Sequence, residues 1–289
     1  MTKKKTKNKK SPEIKERSIV SKEEWKEYTK TVWHIANVSH EVHPAVFPEE
    51  IPKRLIKLFS FVEETVLDPF AGIGTTGKVA AELERSSILV DQSAEYCKIM
   101  NESYAENEDI QIINGDSRVA CNTLEDDSIG LVITSPPYWD KANYGGGKKD
   151  IGDVANYLSF FEEIRPVFEE CYRVLMPGRK ICLVTANVNQ QTNHGLLSFP
   201  LSTDFTVLLR DIGFVLNSHV IWSKDKTGGK WGSANQQRPI FGSYPYPPNF
   251  KFKNVHEYII IFEKPKEEPS KGPKVKNYEQ LMRINQEEE

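Results

Sequence analysis

The sequence is poor in cysteine, and none of its four cysteines is paired in a C-x-x-C spacing: Cys97, Cys121, Cys171 and Cys182 stand singly. That argues against a zinc ribbon or a redox dithiol, so no metal site is expected, and the thiols read as reduced core residues. Excess charge of one sign is also missing. Against 38 Lys and Arg stand 41 Asp and Glu, a formal net charge of −3. No overall basic field announces a nucleic-acid binder, and any such binding must be local. No apolar run approaches the roughly 20 residues that a bilayer demands, and the lysine-rich start has no apolar segment behind it, so no membrane contact and a cytoplasmic location are expected. Two phosphate-binding signatures are absent as well. Gly77-Lys78 is followed by Val79 instead of Ser or Thr, and "GIG" lacks the third glycine of a dinucleotide fingerprint.

What is present from about residue 64 to residue 187 is an alternation of strand-length apolar runs with longer segments of helical period, the mark of a parallel sheet covered by helices. Strands are expected at 65–70, 86–91, 110–115 and 129–135, and helices at 75–85 and from Ser93 onward. A long amphipathic helix follows over about 154–175, with Tyr157, Phe161, Ile164, Phe168, Cys171 and Leu175 as its core face. Then come a fifth strand at 180–188, a helix over 202–213 and two last strands at 214–224 and 255–265. "MTKKKTKNKK" is lysine-dense and without apolar residues, so residues 1–20 are expected to be a flexible basic arm. Residues 21–265 are expected to form one domain with a small insert at 225–254, and 266–289 a C-terminal tail.

"DPFAGIGTT" (68–76) sits where a strand ends and a helix begins, and Gly72 and Gly74 let the backbone turn sharply and approach a ligand. Asp91 stands at the tip of the second strand, about twenty residues on, where an acid can accept hydrogen bonds from both ribose hydroxyls. Asp116 lies just past the third strand. Singly, each acid is equally a turn or cap residue; three at consecutive strand ends favour a nucleoside pocket.

Thr134-Ser135-Pro136-Pro137-Tyr138 ends the fourth strand and so projects into the same crevice. Two consecutive prolines remove two backbone donors and leave carbonyl oxygens facing what enters. An exocyclic amino group matches that surface. Accepting its two N–H groups at the Ser135 hydroxyl and the Pro136 carbonyl would turn a delocalised nitrogen toward a tetrahedral nucleophile, and Tyr138 would stack on the base for about 1–3 kcal/mol. That offsets much of the few kcal/mol lost when a base leaves its duplex. Alone, the four residues would be only a rigid proline turn; after "DPFAGIGTT" on the same sheet they are more.

"DPFAGIGTT" followed by "SPPYW" resembles the S-adenosylmethionine-dependent DNA amino-methyltransferases that act on adenine N6 or cytosine N4. "HPAVFPEEIPKRLIKLFS", "YRVLMPGRKICLV", "IWSKD" and "HEYIIIFEKP" extend the resemblance from about Trp33 to Pro265. It implies an α/β fold: a doubly wound, Rossmann-like methyltransferase sheet, mostly parallel with an antiparallel last strand and helices on both faces. It also implies that Asp68, Phe70, Gly72, Gly74 and Thr75 hold the methionine part of S-adenosylmethionine, that Asp91 takes the ribose and Asp116 lies near the adenine amino group, and that His43, Pro44 and Phe47 close the pocket; His43 alone also reads as a loop or core histidine. The motif order, glycine loop before S-P-P-Y, departs from the commonest one for these flanks, and a circular permutation accounts for it. Asp is typical of the first motif position in enzymes acting on adenine and Ser of those acting on cytosine, so Ser135 favours cytosine N4 over adenine N6. RNA or a protein amide is a further substrate class.

On that reading the partner is double-stranded DNA, and the insert 225–254 is its reader. Lys224 and Lys230 would meet phosphates, Gln237 and Arg238 base edges, and Trp139, Trp231 and Tyr244 would wedge or stack. An aromatic loop packed on the sheet edge is the alternative for any one of them. A monomer or homodimer is expected, with a cognate restriction endonuclease as a functional counterpart that does not bind it physically.

Overall fold

The computed structural model describes residues 10–38, 47–139, 151–224 and 254–266, with the single residues 252, 276 and 278. One eight-stranded sheet organises them. Its strands are β1 (Val32–His34), β2 (Thr65–Asp68), β3 (Ser86–Asp91), β4 (Ile110–Asn114), β5 (Ile129–Thr134), β6 (Leu175–Thr185), β9 (Val215–Ser223) and β10 (His256–Glu263). A separate two-stranded ribbon is made by β7 (Val188–Thr192) and β8 (Gly195–Phe199). The sheet order is β1-β9-β10-β6-β5-β2-β3-β4. Every neighbouring pair is parallel except those of β10, which runs antiparallel to both β6 and β9. The expected α/β sheet, mostly parallel with an antiparallel last strand, is therefore found.

Period-two alternation decides which helices cover which face. On one face Leu67, Val132, Leu183 and Ile260 pack with α7 (Tyr157–Val174) and α8 (Leu201–Ile212). On the other, Val66, Leu131, Ile133, Val184 and Ile261 pack with α3 (Glu50–Phe59) and α4 (Thr75–Glu82). With helices on both sides, the central strand β5 is buried along its whole length. The core face of α7 is shifted from the expected set: Phe160 and Val167 are fully buried, while Tyr157 and Phe161 are partly so. All four cysteines are buried and unpaired.

Residues 11–20 correct the expected arm. α1 (Pro12–Arg17) is capped by Ser11, and Arg17 bridges to Glu63 at 2.6 Å and Glu84 at 2.7 Å. α2 (Lys22–Tyr28) follows behind a full capping box between Ser21 and Glu24. β1 then adds to the sheet edge along β9, where the Trp222 indole donates to the Ile35 carbonyl at 2.8 Å. α5 (Ala94–Ser103) and α6 (Ser117–Ala120) complete the set. Among the described residues, no helix is long and apolar enough to cross a membrane.

Candidate active site

β2 and β5 are paired at the centre of the sheet, Val66 against Leu131 and Leu67 against Val132, so the loops that follow them emerge side by side. The loop after β2 carries "DPFAGIGTT". Its shape is held from beneath by Asp68, which is 1% exposed and accepts hydrogen bonds from the Thr76 hydroxyl at 2.6 Å and the Phe70 amide at 3.1 Å. Burial pushes the Asp68 carboxyl up to about 6, against the opposing pull of the Thr76 hydroxyl and the Phe70 amide. Gly74 begins α4 in the left-handed region, at φ +85°. A Cβ there would come within 2.9 Å of the Tyr104 ring and 3.0 Å of Met100, so only glycine fits. Asp91, at the tip of β3, accepts the Gly72 amide at 2.8 Å through one oxygen and the Ser93 amide at 2.8 Å through the other. The ends of β2 and β3 are thereby clamped together through one carboxylate. Each oxygen of an ionised carboxylate can accept more than one hydrogen bond, so the same group can serve the fold and a ligand hydroxyl together.

Asp116 caps α6 by accepting the Arg118 amide at 3.0 Å and pairs with the Arg118 guanidinium at 2.6 Å. Beside it the Ser117 hydroxyl donates to the Pro69 carbonyl, joining the turn after β4 to the glycine loop. Across the crevice Ser135, Pro136, Pro137 and Tyr138 leave β5. Tyr138 is 6% exposed and its hydroxyl donates to Glu257 on β10 at 2.9 Å; Lys224 at the end of β9 holds the other oxygen of Glu257 at 2.5 Å.

The two loops enclose a crevice of about 870 Å³, part of it open to solvent. Phe47, Phe70, Gly72, Thr75, Asp91 and Asp116 line it on one side and Ser135, Pro136, Pro137 and Tyr138 on the other, so ten of the sequence-expected residues face one space. Aromatic walls with a carboxylate at the strand tip suit the adenine and ribose of a nucleoside, and by that donor set the residues fit the adenosyl part of S-adenosylmethionine. Among the described residues, no group of three or more His, Cys, Asp or Glu is placed to hold a metal ion.

Four expectations need correction. Asp68 and Gly74 are not walls of the crevice: the first holds the loop from below and the second turns it into α4. Trp139 is packed inward instead of standing at the surface: it is 7% exposed, its ring lies 4.7 Å from Phe199 and 5.0 Å from Tyr157, and its indole N–H donates to the Val154 carbonyl at 2.6 Å. Lys224 is turned inward onto Glu257, with its ammonium 4.2 Å from the Trp222 ring centre. His43, Pro44, Lys230, Trp231, Gln237, Arg238 and Tyr244 lie outside the described residues. Sequence reasoning missed Gln92, Tyr96 and Ser117, which also line the crevice, and Glu257 behind it. Gln92 and Ser117 directly follow two singled-out acids, a signal that was available; Tyr96 is indistinguishable from the core residues of α5.

A model of a DNA methylase family, the N6/N4 methyltransferases, matches residues 1–102 and 129–289. Over 178 residues the chain is 43% identical to the Type II methyltransferase M.MjaI of Methanocaldococcus jannaschii, covering 54% of this chain and 56% of that protein. Over 265 residues it is 23% identical to the Type II beta methyltransferase M.BslI of a Bacillus species, covering 75% of this chain and 27% of the relative. The chain thus spans about half or less of the length of these curated relatives. Among solved structures, the DNA modification methylase TTHA0409 of Thermus thermophilus, in complex with S-adenosyl-L-methionine, is 29% identical with a TM-score of 0.40, covering 55% of this chain and 57% of that one.

Proposed function

The chain belongs to the N6/N4 DNA methylase family, and from that premise we propose that it transfers a methyl group from S-adenosylmethionine to the exocyclic N4 amino group of cytosine in a short sequence of double-stranded DNA, with the base turned out of the helix. The observation that carries this reading is the pairing of β2 with β5, which brings the glycine loop and the S-P-P-Y loop to one crevice.

When bound, S-adenosylmethionine supplies a methyl carbon made electrophilic by its sulfonium. Asp91 accepts the ribose hydroxyls while its amide contacts keep the strand tips together. Ser135 and the Pro136 carbonyl accept hydrogen bonds from the two amino hydrogens, drawing the nitrogen lone pair out of the ring and aiming it across the crevice. On gaining the methyl group the nitrogen gives up one of those protons along its acceptor contact to solvent, and the donor is left as a neutral thioether. Tyr138, fixed by Glu257, gives the base a flat partner. Positioning of this kind supplies on the order of 7–11 kcal/mol of barrier lowering in well-oriented reactions. A neutral hydroxyl at Ser135 suits cytosine N4.

The test is incubation of the protein with labelled donor and duplex DNA, followed by digestion to nucleosides and mass spectrometry. N4-methylcytosine is expected. N6-methyladenine would move the target to the other base, and label on RNA or protein only, or none, would overturn the reading.

A further inference from the structure

Where β6 leaves the sheet beside the S-P-P-Y loop, the chain rises as the β7–β8 ribbon before it enters α8. Its register pairs Val188 with Phe199, Gln190 with Leu197 and Thr192 with Gly195, so Asn193 and His194 make a two-residue turn. The root is fixed to the catalytic loop. Val188 is 3% exposed in the same core cluster as Tyr138 and Trp139, and the Phe199 ring stands 4.7 Å from Trp139, one residue past Tyr138. Asn187 ties the root to α8, accepting the Ser202 amide at 3.2 Å and its hydroxyl at 2.9 Å. The tip is organised too: the Thr192 hydroxyl accepts the His194 amide at 3.1 Å and donates to the Gly195 carbonyl at 2.8 Å.

Beyond the root the ribbon is solvent-facing, with Gln191, Asn193, His194, Leu197 and Ser198 exposed. Residues 186–203 contain no Asp, Glu, Lys or Arg, although 27% of the chain is charged. Solubility alone would be served better by charge; amides and an imidazole on a rigid ribbon are instead hydrogen-bonding groups that offer both donors and acceptors without repelling phosphates. A two-stranded ribbon fits a major groove of about 12 Å, where Gln and Asn pair with adenine edges and apolar side chains with thymine methyls. Leu197, 39% exposed on the same ribbon, supplies the apolar group.

We propose that the tip of the β7–β8 ribbon, through Gln191, Asn193 and His194, enters the major groove and reads base edges beside the base held at Ser135. This rests on the DNA-methylating function proposed above, and adds a base-reading element apart from the insert 225–254.

The test compares wild type with Gln191→Ala/Asn193→Ala/His194→Ala on a library of duplexes randomised in sequence, with labelled S-adenosylmethionine, sequencing the methylated fraction. The variant should bind S-adenosylmethionine with unchanged affinity and still transfer methyl groups. Its methylated sites should lose base preference at one or more positions, and kcat/KM on the duplex that wild type favours should fall about 10- to 100-fold. An unchanged consensus with unchanged kcat/KM overturns the proposal. Should the triple variant lose donor binding, Gln191→Glu serves instead: a carboxylate at an exposed tip should weaken binding to every duplex, and no weakening overturns the proposal. Failure of the underlying function is told apart because wild type itself would then methylate no DNA.

Discussion

The two halves of the crevice are held in different ways. On the donor side the bonds that shape the glycine loop are short to moderate in sequence: Phe70 and Thr76 reach Asp68 across two and eight residues, Gly72 reaches Asp91 across nineteen, and the longest, Ser117 to Pro69, spans 48. On the acceptor side Tyr138 is fixed by Glu257, 119 residues away on the far part of the sheet. The donor half is thus held by contacts within residues 68–117, from β2 to the turn after β4. The acceptor half takes shape only when β10 inserts between β6 and β9, so its geometry depends on the whole sheet.

Breaking one half should leave the other standing. Ser135→Ala removes an oriented acceptor from the acceptor half alone, and the expected loss is about 10²- to 10³-fold in kcat, the scale seen when one preorganised hydrogen-bonding group is deleted. Equilibrium dialysis with S-adenosylmethionine should show donor affinity unchanged; wild-type turnover would remove Ser135 from its role. Asp91→Ala attacks the other half. It takes away the ribose acceptor and releases the Gly72 and Ser93 amides, so the dissociation constant for the donor should rise by up to about 100-fold, the cost of losing a charged hydrogen-bond partner. An unaltered constant would refute the ribose assignment.

The same contrast governs what could be read without coordinates. Asp68, Gly72, Gly74 and Asp91 were legible because the residues that need one another lie within one short stretch, although that stretch does not tell a residue lining a pocket from one bracing it, and Asp68 and Gly74 turned out to brace. The S-P-P-Y loop was legible through its prolines and its place at a strand end. Trp139 was misread because an aromatic after that motif looks alike whether it meets a base or Phe199 and Tyr157. Lys224 was misread because only the β9–β10 pairing brings Glu257 beside it. The β7–β8 ribbon left no strand signal in "VNQQT", since Asn and Gln have little β preference, and its formation is imposed by Val188 and Phe199 packing on the core.

Asp68 sharpens the comparison on the donor side through pH. Its carboxyl is raised from an ordinary 3.8 to about 6 in the folded protein, first by burial. Between those values the unfolded chain has released this proton while the folded one still holds it. Stability due to this group therefore falls as pH rises through the window and is level above it. Asp68→Asn does not titrate. Urea unfolding at pH 4.5 and 7.5 should show the variant gaining on wild type by about 2 kcal/mol at the higher pH, the linkage equivalent of the shift over that interval. Parallel displacement of the two proteins at both pH values would mean that the carboxyl titrates normally.

Glu257 offers the smallest and most discriminating test, because it touches neither ligand yet holds the ring that faces the base. Glu257→Ala takes this acceptor from the Tyr138 hydroxyl and this carboxylate from Lys224, and kcat should fall about 5- to 10-fold, roughly one hydrogen bond's worth, with donor affinity unmoved. Glu257→Gln keeps an oxygen that can accept from Tyr138, so it should restore most of the lost kcat even though the charge opposite Lys224 is gone. Tyr138→Phe removes the same bond from the other end, and in the double-mutant cycle Glu257→Ala should add little to it. A purely structural part for Glu257 predicts the reverse pattern: lower unfolding midpoints, Gln no better than Ala, and full additivity with Tyr138→Phe. Recovery of turnover by Gln and non-additivity with Phe together would place the acceptor half under the control of a strand that the glycine loop never touches.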